Sequence, residues 1–337
     1  MATPRLIIDL KKIEHNAKVL VSRLGHLDIS VTGIIKVMQG SPIIARALMR
    51  SGVISIGDSH IQNIELMCRN NIPIQMSLIR SPMLSQIQRI ILSGSISFNS
   101  EIIVIEALSK MACKLNLNHQ IILMIELGDL REGILPKDVL TFIDKVLTLP
   151  NISLKGIATN LMCLNDCAPD DTKMSQLSSI ADSIEKTFNI KLDIISGGNS
   201  ANLNWALNNK SNIGKINNLR LGEAIFIGMN PLDNSLIKGL YQDAISLVAE
   251  VIESKVKPSV SSNNKKYQSI LAIGNQDIDS NGVKCLSGYK ILGATSDHLI
   301  IDSMNKLIPI GTELNFIINY TSLLKAMMSS LVEKVFI

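Results

Sequence analysis

Aromatic residues are scarce in this 337-residue chain, at 3% of the total. The interior must therefore be built from Ile, Leu, Val and Met. Stacking platforms for single-stranded nucleic acid, which need aromatic faces, are disfavoured. Charge of one sign is also lacking: 33 Lys+Arg against 29 Asp+Glu leave a net charge of +4, and no basic run is longer than a pair such as Lys265-Lys266. That balance describes a mixed solvated surface, not a nucleic-acid footprint. Mean hydropathy is positive, +0.27, yet no unbroken apolar run approaches the ~18 residues of a spanning helix. The opening MATPRLIIDL, with Arg5 and Asp9 around a very short apolar run, lacks the pattern of a signal peptide. Five cysteines without a CxxC pair suit a reducing compartment, and the cytoplasm is the expectation. Most of them are expected to be small buried hydrophobes.

What is present is an alternation. Short β-rich runs fall at 31–37, 53–56, 74–78, 96–98, 121–126, 154–160, 192–196 and 218–221, with amphipathic stretches between them at 43–49, 61–68, 84–92, 102–114 and 174–188. Gly52, Pro73, Gly94, Pro136, Pro150 and Gly197-Gly198 punctuate the joins. Eight β-then-α units imply a parallel sheet, and eight is the number that closes as a (β/α)8 barrel; periodicity alone also admits an open doubly wound sheet. After residue 240 the runs 244–251, 269–273, 289–292, 299–302 and 314–320 are β-like with little helix between, which reads as a smaller antiparallel domain. Residues 258–268 read as a hairpin or loop. The run 5–10 is a ninth strand, surplus to the barrel and available to the second domain. The expected partition is a barrel over 11–235 and a β domain made of 1–10 and 236–337.

Several residues could carry chemistry. Lys36 closes the apolar run ISVTGIIK, so it is expected at the C-terminal face of the barrel, where desolvation makes an amine usable for Schiff-base chemistry; a lysine snorkelling at a strand end is the plain alternative. IISGGNSANL turns through two glycines into a helix starting near Ser200, presenting N–H groups to an anion or simply capping that helix with Ser200. Gly222, in LRLGEAIFIG, makes a second such turn, and two turns after late strands match the usual barrel phosphate site. Arg220 is an arginine in an apolar strand and needs a partner. Asp129, Arg131 and Glu132 follow the fifth strand and face the pocket or form a surface ion-pair cluster. Asp297-His298 ends a β-domain turn. His15, His26, His60 and His119 read as structural, and no metal-ligand spacing stands out.

Taken in order, RLIIDLKKIEHNAKVL, GIIKV, GDSHIQNI, ELGDLREGI, GIATNLMC, ISGGNSANL, LRLGEAIFIG, GLYQDA, LAIGNQDID and GATSDHLIID span essentially the whole chain. The set resembles the fold-type III pyridoxal 5′-phosphate (PLP) enzymes of the alanine racemase group, and is most similar to their ornithine racemase branch. The resemblance implies PLP held by Lys36 as a Schiff base, with Lys36 also one of two racemisation bases. It implies that Asn199 and Ser200 form one phosphate turn, and that Gly222 and Glu223 form the other through backbone N–H groups. Arg220 resembles the arginine that bonds the pyridine nitrogen, Asn160 its neighbour, Arg131 the arginine that places the substrate carboxylate, and Tyr320 a tyrosine near the phosphate. A head-to-tail homodimer with shared sites, acting on an amino acid as its small-molecule substrate, is also implied.

The departures matter. Gly40 stands where relatives carry a phosphate-contacting tyrosine, and Asn160 where they carry a histidine. The stretch 257–260 lacks the phenol of the second base. Asp297 or His298, reaching a partner's site, is the first expectation for that base, and Cys163 the second. The implied reaction is L/D interconversion of an amino acid, ornithine, through α-proton abstraction, for which Asp129, Asp277 or Asp297 could receive the distal ammonium. A PLP lyase of the D-threonine aldolase type and a non-catalytic PLP-homeostasis protein are the alternatives.

Overall fold

The computed structural model describes residues 4–208, 213–258 and 265–337. A strand β1 (Arg5–Ile8) leads into helix α1 (Leu10–Gly25), capped by Asp9, whose carboxylate accepts from the Lys12 amide. Eight parallel strands follow: β2 (Ser30–Ile34), β3 (Ser55–Asp58), β4 (Gln75–Leu78), β5 (Ile96–Asn99), β6 (His119–Ile125), β7 (Ile152–Thr159), β8 (Ile194–Ser196) and β9 (Asn218–Leu221). The intervening helices are α2 (Pro42–Arg50), α3 (Ile61–Arg69), α4 (Ile87–Ser93), α5 (Ile102–Leu115), α6 (Val139–Leu147), α7 (Asp171–Phe188) and α8 (Leu203–Asn208), with α9 (Glu223–Ile227) after the last strand. β2 pairs with both β3 and β9, Thr32 lying opposite Ser55 and Arg220, so the sheet closes. The fold is a (β/α)8 barrel carrying a second, β-rich layer. The open-sheet alternative is excluded by the β2–β9 ladder.

Both faces of the barrel sheet are covered, which is why its strands read as continuous apolar runs instead of alternating ones. β3 and β5 are buried at every position. Helices bury one stripe each: Ile13, Ala17, Leu20 and Leu24 on α1 follow the 3–4 spacing and are inaccessible.

The second layer contains β10 (Ile245–Pro258), β11 (Lys265–Leu271), β12 (Val283–Cys285), β13 (Lys290–Ala294), β14 (Leu299–Asp302), β15 (Glu313–Ile318) and β16 (Glu333–Phe336), with α10 (Tyr320–Met328) before the last strand. The strand order is β12-β15-β10-β11-β14-β13. β10 is long because it serves three partners: 245–248 pair with β1, 246–250 with β15, and Val251 to Pro258, across a register shift between Val251 and Glu253, with β11. β1 does join this sheet, antiparallel to β10 and parallel to β16. Pro258 lies opposite Lys265, so the hairpin expected at 258–268 is present at its base, while 259–264 lie outside the described residues. The run expected as strand to residue 320 stops at Ile318. Asn319 instead caps α10, accepting from the Ser322 amide, and α10 packs against the turn that carries Lys36.

Candidate active site

Lys36 does not end a strand. β2 stops at Ile34, and Lys36 opens a short 3-10 turn, Lys36–Met38, that closes on Gln39 in the left-handed region. The Gly57 carbonyl accepts from the Ile35 amide, which keeps this turn stitched to the barrel rim. The following Gly40 has φ +65, and a Cβ there would come within 2.6 Å of Asn63 Cβ and 2.8 Å of its backbone. The tyrosine of the relatives therefore has no room at this position.

Lys36 faces a cavity of about 770 Å³ at the C-terminal mouth of the barrel. Asn160, Asn199, Ser200, Arg220, Gly222, Glu223, Arg131 and Tyr320 line the same cavity. Arg220 rises from the floor, 4% exposed. Its guanidinium donates to Ser196 Oγ at 2.6 Å, the Thr159 carbonyl at 2.7 Å and Asn160 Oδ1 at 2.5 Å, and lies 5.2 Å from the centre of the Phe98 ring. Burial lowers its pKa to about 10, so it remains a cation at neutral pH. No carboxylate among the described residues touches it. Asn160 passes the influence of one instead: its Nδ2 donates to Glu132 Oε1 at 3.0 Å, and Glu132 is paired to Arg131.

The two glycine turns are joined. Asn199, not Ser200, caps the short 3-10 helix Ser200–Asn202, accepting from the Ala201 amide. That leaves the Ser200 hydroxyl to accept from Ala224 N at 3.2 Å, linking the turn after β8 to the turn after β9. Gly222 sits tight on the end of β2, where a Cβ would meet the Ile34 carbonyl at 2.8 Å. The backbone of both turns is thus brought beside Lys36. Glu223 also contributes its side chain, whose pKa is raised by burial and lowered by Lys36. Tyr320 reaches in from α10; burial first, then the charges of Glu223 and Asp58, push its phenol up.

Two loops form the opposite rim. Glu126 folds the first by accepting from the amides of Gly128 at 2.6 Å, Leu130 at 3.0 Å and Arg131 at 3.3 Å. Asp129, almost wholly buried, ties it to the second, its Oδ1 accepting from the amides of Cys163 at 2.8 Å and Leu164 at 3.0 Å. Of the two roles the sequence leaves open for Asp129, these contacts show the structural one. Cys163 lines the cavity. The general expectation of buried cysteines holds for Cys285 alone: Cys113 and Cys163 are exposed, Cys68 and Cys167 intermediate, and all five are free.

Asp297 and His298 do not reach this cavity. They lie exposed on the turn between β13 and β14, closed by the Thr295 amide on the His298 carbonyl. Asp277 is buried in the β domain and accepts from Ser329 Oγ at 2.6 Å, again away from the cavity. His119 is the buried histidine, held by Ser97, and His15 contacts the Gly239 carbonyl, as structural residues would. Arg80, Ser81 and Met83, from the segment after β4, line the cavity without having drawn notice in the sequence; position after a barrel strand was the available signal.

The lining carries four cations, Lys36, Arg80, Arg131 and Arg220, against two carboxylates, Glu132 and Glu223. A primary amine, a fixed guanidinium on the floor and closely approaching backbone suit an anionic aldehyde such as PLP together with an amino acid carboxylate.

The profile "Alanine racemase, N-terminal domain" matches residues 8–231. The lysine racemase of Thermotoga maritima is 33% identical over 354 aligned positions, covering 100% of this chain and 99% of that protein. The ornithine racemase of Acetoanaerobium sticklandii is 33% identical as well, covering 98% and 99%. Among solved structures, alanine racemase from Bartonella henselae with covalently bound pyridoxal phosphate superposes with a TM-score of 0.79 at 16% identity, each chain fully covered. D-threonine aldolase from Filomicrobium marinum does so with 0.79 at 15% identity, covering 97% and 89%, so the fold alone does not separate racemase from aldolase. The profile and the two full-length relatives do: this chain belongs to the alanine racemase family, the amino-acid racemases of fold type III.

Proposed function

We propose that this chain interconverts the enantiomers of a basic amino acid, ornithine or lysine, with PLP held at Lys36. The observation that carries this reading is the Lys36 amine facing one cavity with the buried, carboxylate-free Arg220. PLP, when bound, supplies the electron-withdrawing conjugation that acidifies a substrate α-proton. The chain supplies the rest. Lys36 Nζ would hold the cofactor and would take or return a proton on one face of the α-carbon. Arg220 would face the cofactor ring as a hydrogen-bond donor and keep its own proton, since about 10 lies well above neutral pH. Ser200, Gly222 and Glu223 would offer backbone N–H groups to the phosphate, with Asn199 holding that turn and Tyr320 beside it. Arg131, steadied by Glu132, receives the substrate carboxylate.

The choice between ornithine and lysine is one methylene, worth only about 1–3 kcal/mol in a pocket, and the relatives bear both names. Glu132 and Glu223 are the carboxylates the cavity offers a distal ammonium. Residues 11–235 are taken as the cofactor-binding body and 1–10 with 236–337 as the β domain. The active unit is proposed to be a homodimer, with the turn carrying Asp297 and His298 directed to the partner; sedimentation tests this. No helix among the described residues is long and apolar enough to cross a membrane, and five free cysteines support a cytoplasmic setting.

Borohydride reduction followed by peptide mapping is the test: the pyridoxyl tag is expected on Lys36 and absent from Lys36→Ala. An amino acid panel read by chiral chromatography then names the substrate. Aldehyde release from β-hydroxy amino acids without racemisation would move the protein to the aldolases.

A further inference from the structure

We infer that Cys163 carries the proton exchanged on the face of the substrate opposite Lys36, an inference that rests on the racemase reading above. Inverting a carbon centre needs a proton removed from one side and another delivered to the other. Lys36 serves one side. Most other protonatable side chains on the cavity wall are committed elsewhere. Arg80, Arg131 and Arg220 keep their protons at neutral pH. Glu132 is engaged by Arg131 and Asn160. Glu223 follows β9, which is paired to β2, so it stands on the same side as Lys36, and its charge acts on both Lys36 and Tyr320.

Cys163 stands elsewhere. It follows β7, while Lys36 follows β2, and the closed order β7-β8-β9-β2 puts three strand steps between them. In a barrel of eight evenly spaced strands that is about 135° around the mouth, with Arg220 on β9 rising between. Its position is built, not incidental. Asp129 Oδ1 accepts from the Cys163 amide, and Asn199 Nδ2 donates to Sγ at 3.2 Å. The preceding Met162 is held at φ +57, in the left-handed region, where a side chain such as methionine is strained. Although the residue as a whole is exposed, partial desolvation of its sulfur at the cavity wall raises the thiol pKa, Arg131, Lys36 and Arg220 pull it down, Asp129 raises it, and the net direction is up. The group is therefore a protonated thiol whose thiolate would be met by cations.

The step balances. On one enantiomer the neutral Lys36 amine takes the α-proton and becomes an ammonium. The Cys163 S–H bond breaks, its proton forms the new C–H bond on the other face, and a thiolate remains. After product leaves, solvent water returns the proton from the ammonium to the thiolate and restores both groups; the opposite enantiomer runs the transfers in reverse. No oxidant or reductant takes part.

The test is Cys163→Ala in deuterated water with each enantiomer of ornithine and of lysine. Racemisation is expected to fall by at least about 100-fold, while one enantiomer still acquires α-deuterium with retention through Lys36. Independently of turnover, iodoacetamide is expected to label Cys163 in the wild-type holoenzyme and saturating substrate to block that label, with labelling of the exposed Cys113 unchanged. Cys163→Ala racemising within about threefold of wild type, or a Cys163 label indifferent to substrate, overturns the inference. So does loss of inversion in Asp297→Ala or His298→Ala with Cys163→Ala intact, which would move the second centre to the β-domain turn. Failure of wild type to exchange any α-hydrogen sinks the racemase reading itself and is thereby distinguishable.

Discussion

Replacing His119 by Gln should make the protein less sensitive to acid. His119 opens β6 and is 2% exposed, its Nε2 2.7 Å from Ser97 Oγ. Ser97 Oγ already accepts from Asn99 Nδ2 at 2.9 Å, so its own O–H is free to donate to an unprotonated Nε2. Burial lowers the imidazole pKa to about 4, against about 6.5 in an unfolded chain. Between those values the unfolded state binds a proton that the folded state refuses, so stability is complete above about 6.5 and declines as pH falls toward 4. A tenfold difference in proton affinity is worth about 1.4 kcal/mol, so the imidazole contributes about 3 kcal/mol in all, of which about 2 kcal/mol is already lost at pH 5. A glutamine amide can occupy the Nε2 position and keep the Ser97 contact without titrating. Urea unfolding of both proteins at pH 8 and pH 5 isolates the effect, because the difference between them cancels every titration they share. That difference should move by about 2 kcal/mol in favour of the variant at pH 5. A difference that stays constant between the two pH values would mean that the folded barrel admits the proton, and the reasoning fails.

Two further outcomes follow from the turn after Lys36 and from the cavity floor. Gly40→Ala adds a Cβ against Asn63 backbone at φ +65 and should lower unfolding free energy by about 2 kcal/mol or more, read by urea titration, with Lys36 still trapped by borohydride. Arg220→Lys keeps the charge but loses the planar fork that reaches Ser196, Thr159 and Asn160 together; kcat/KM should fall about 100-fold while the borohydride tag remains on Lys36.

The architecture was legible because the barrel is buried on both faces: eight apolar runs punctuated by Gly and Pro leave few topologies, and β9 was bounded as observed at 218–221. Strand ends were less legible. Ile35 continues an apolar run that hydropathy cannot tell from strand, yet the strand ends at Ile34 and the chain turns through Lys36–Met38 into Gly40, which passes close to Asn63. Tyr320 read as the end of a β run for the same reason; what ended the strand was the polar cap Asn319, a one-residue signal. Within the site, Lys36, Ser200, Arg220 and Gly222 were found by position and by resemblance, and they share one cavity. Arg80 was not found, since it sits in an ordinary polar segment and its neighbourhood is created only by closure. Asp277 and Asp129 were offered as partners for a distal ammonium, with a structural role equally open. Each is buried on a partner that sequence does not reveal, Ser329 for one and the 163–164 amides for the other.

Asn160 shows why the floor of the cavity is built from an amide. It must accept from the Arg220 guanidinium and donate to Glu132, and an amide does both through two different atoms. A carboxylate can only accept. Asn160→Asp would place a negative charge directly on Arg220 and leave an oxygen where Nδ2 now meets Glu132 Oε1 at 3.0 Å. The new pair with Arg220 would strengthen while Glu132 was pushed away, and Glu132 is the residue that steadies Arg131. The expected result is therefore asymmetric: substrate KM rises about tenfold or more as Arg131 loses its support, while borohydride trapping at Lys36 is unchanged. Removing the carboxylate from the other end, in Asn160→Asp combined with Glu132→Gln, relieves the repulsion and should recover part of the loss in KM. If the single variant leaves KM untouched, or if the second change deepens the defect, then Asn160 does not couple Arg220 to Arg131, and the two arginines act independently.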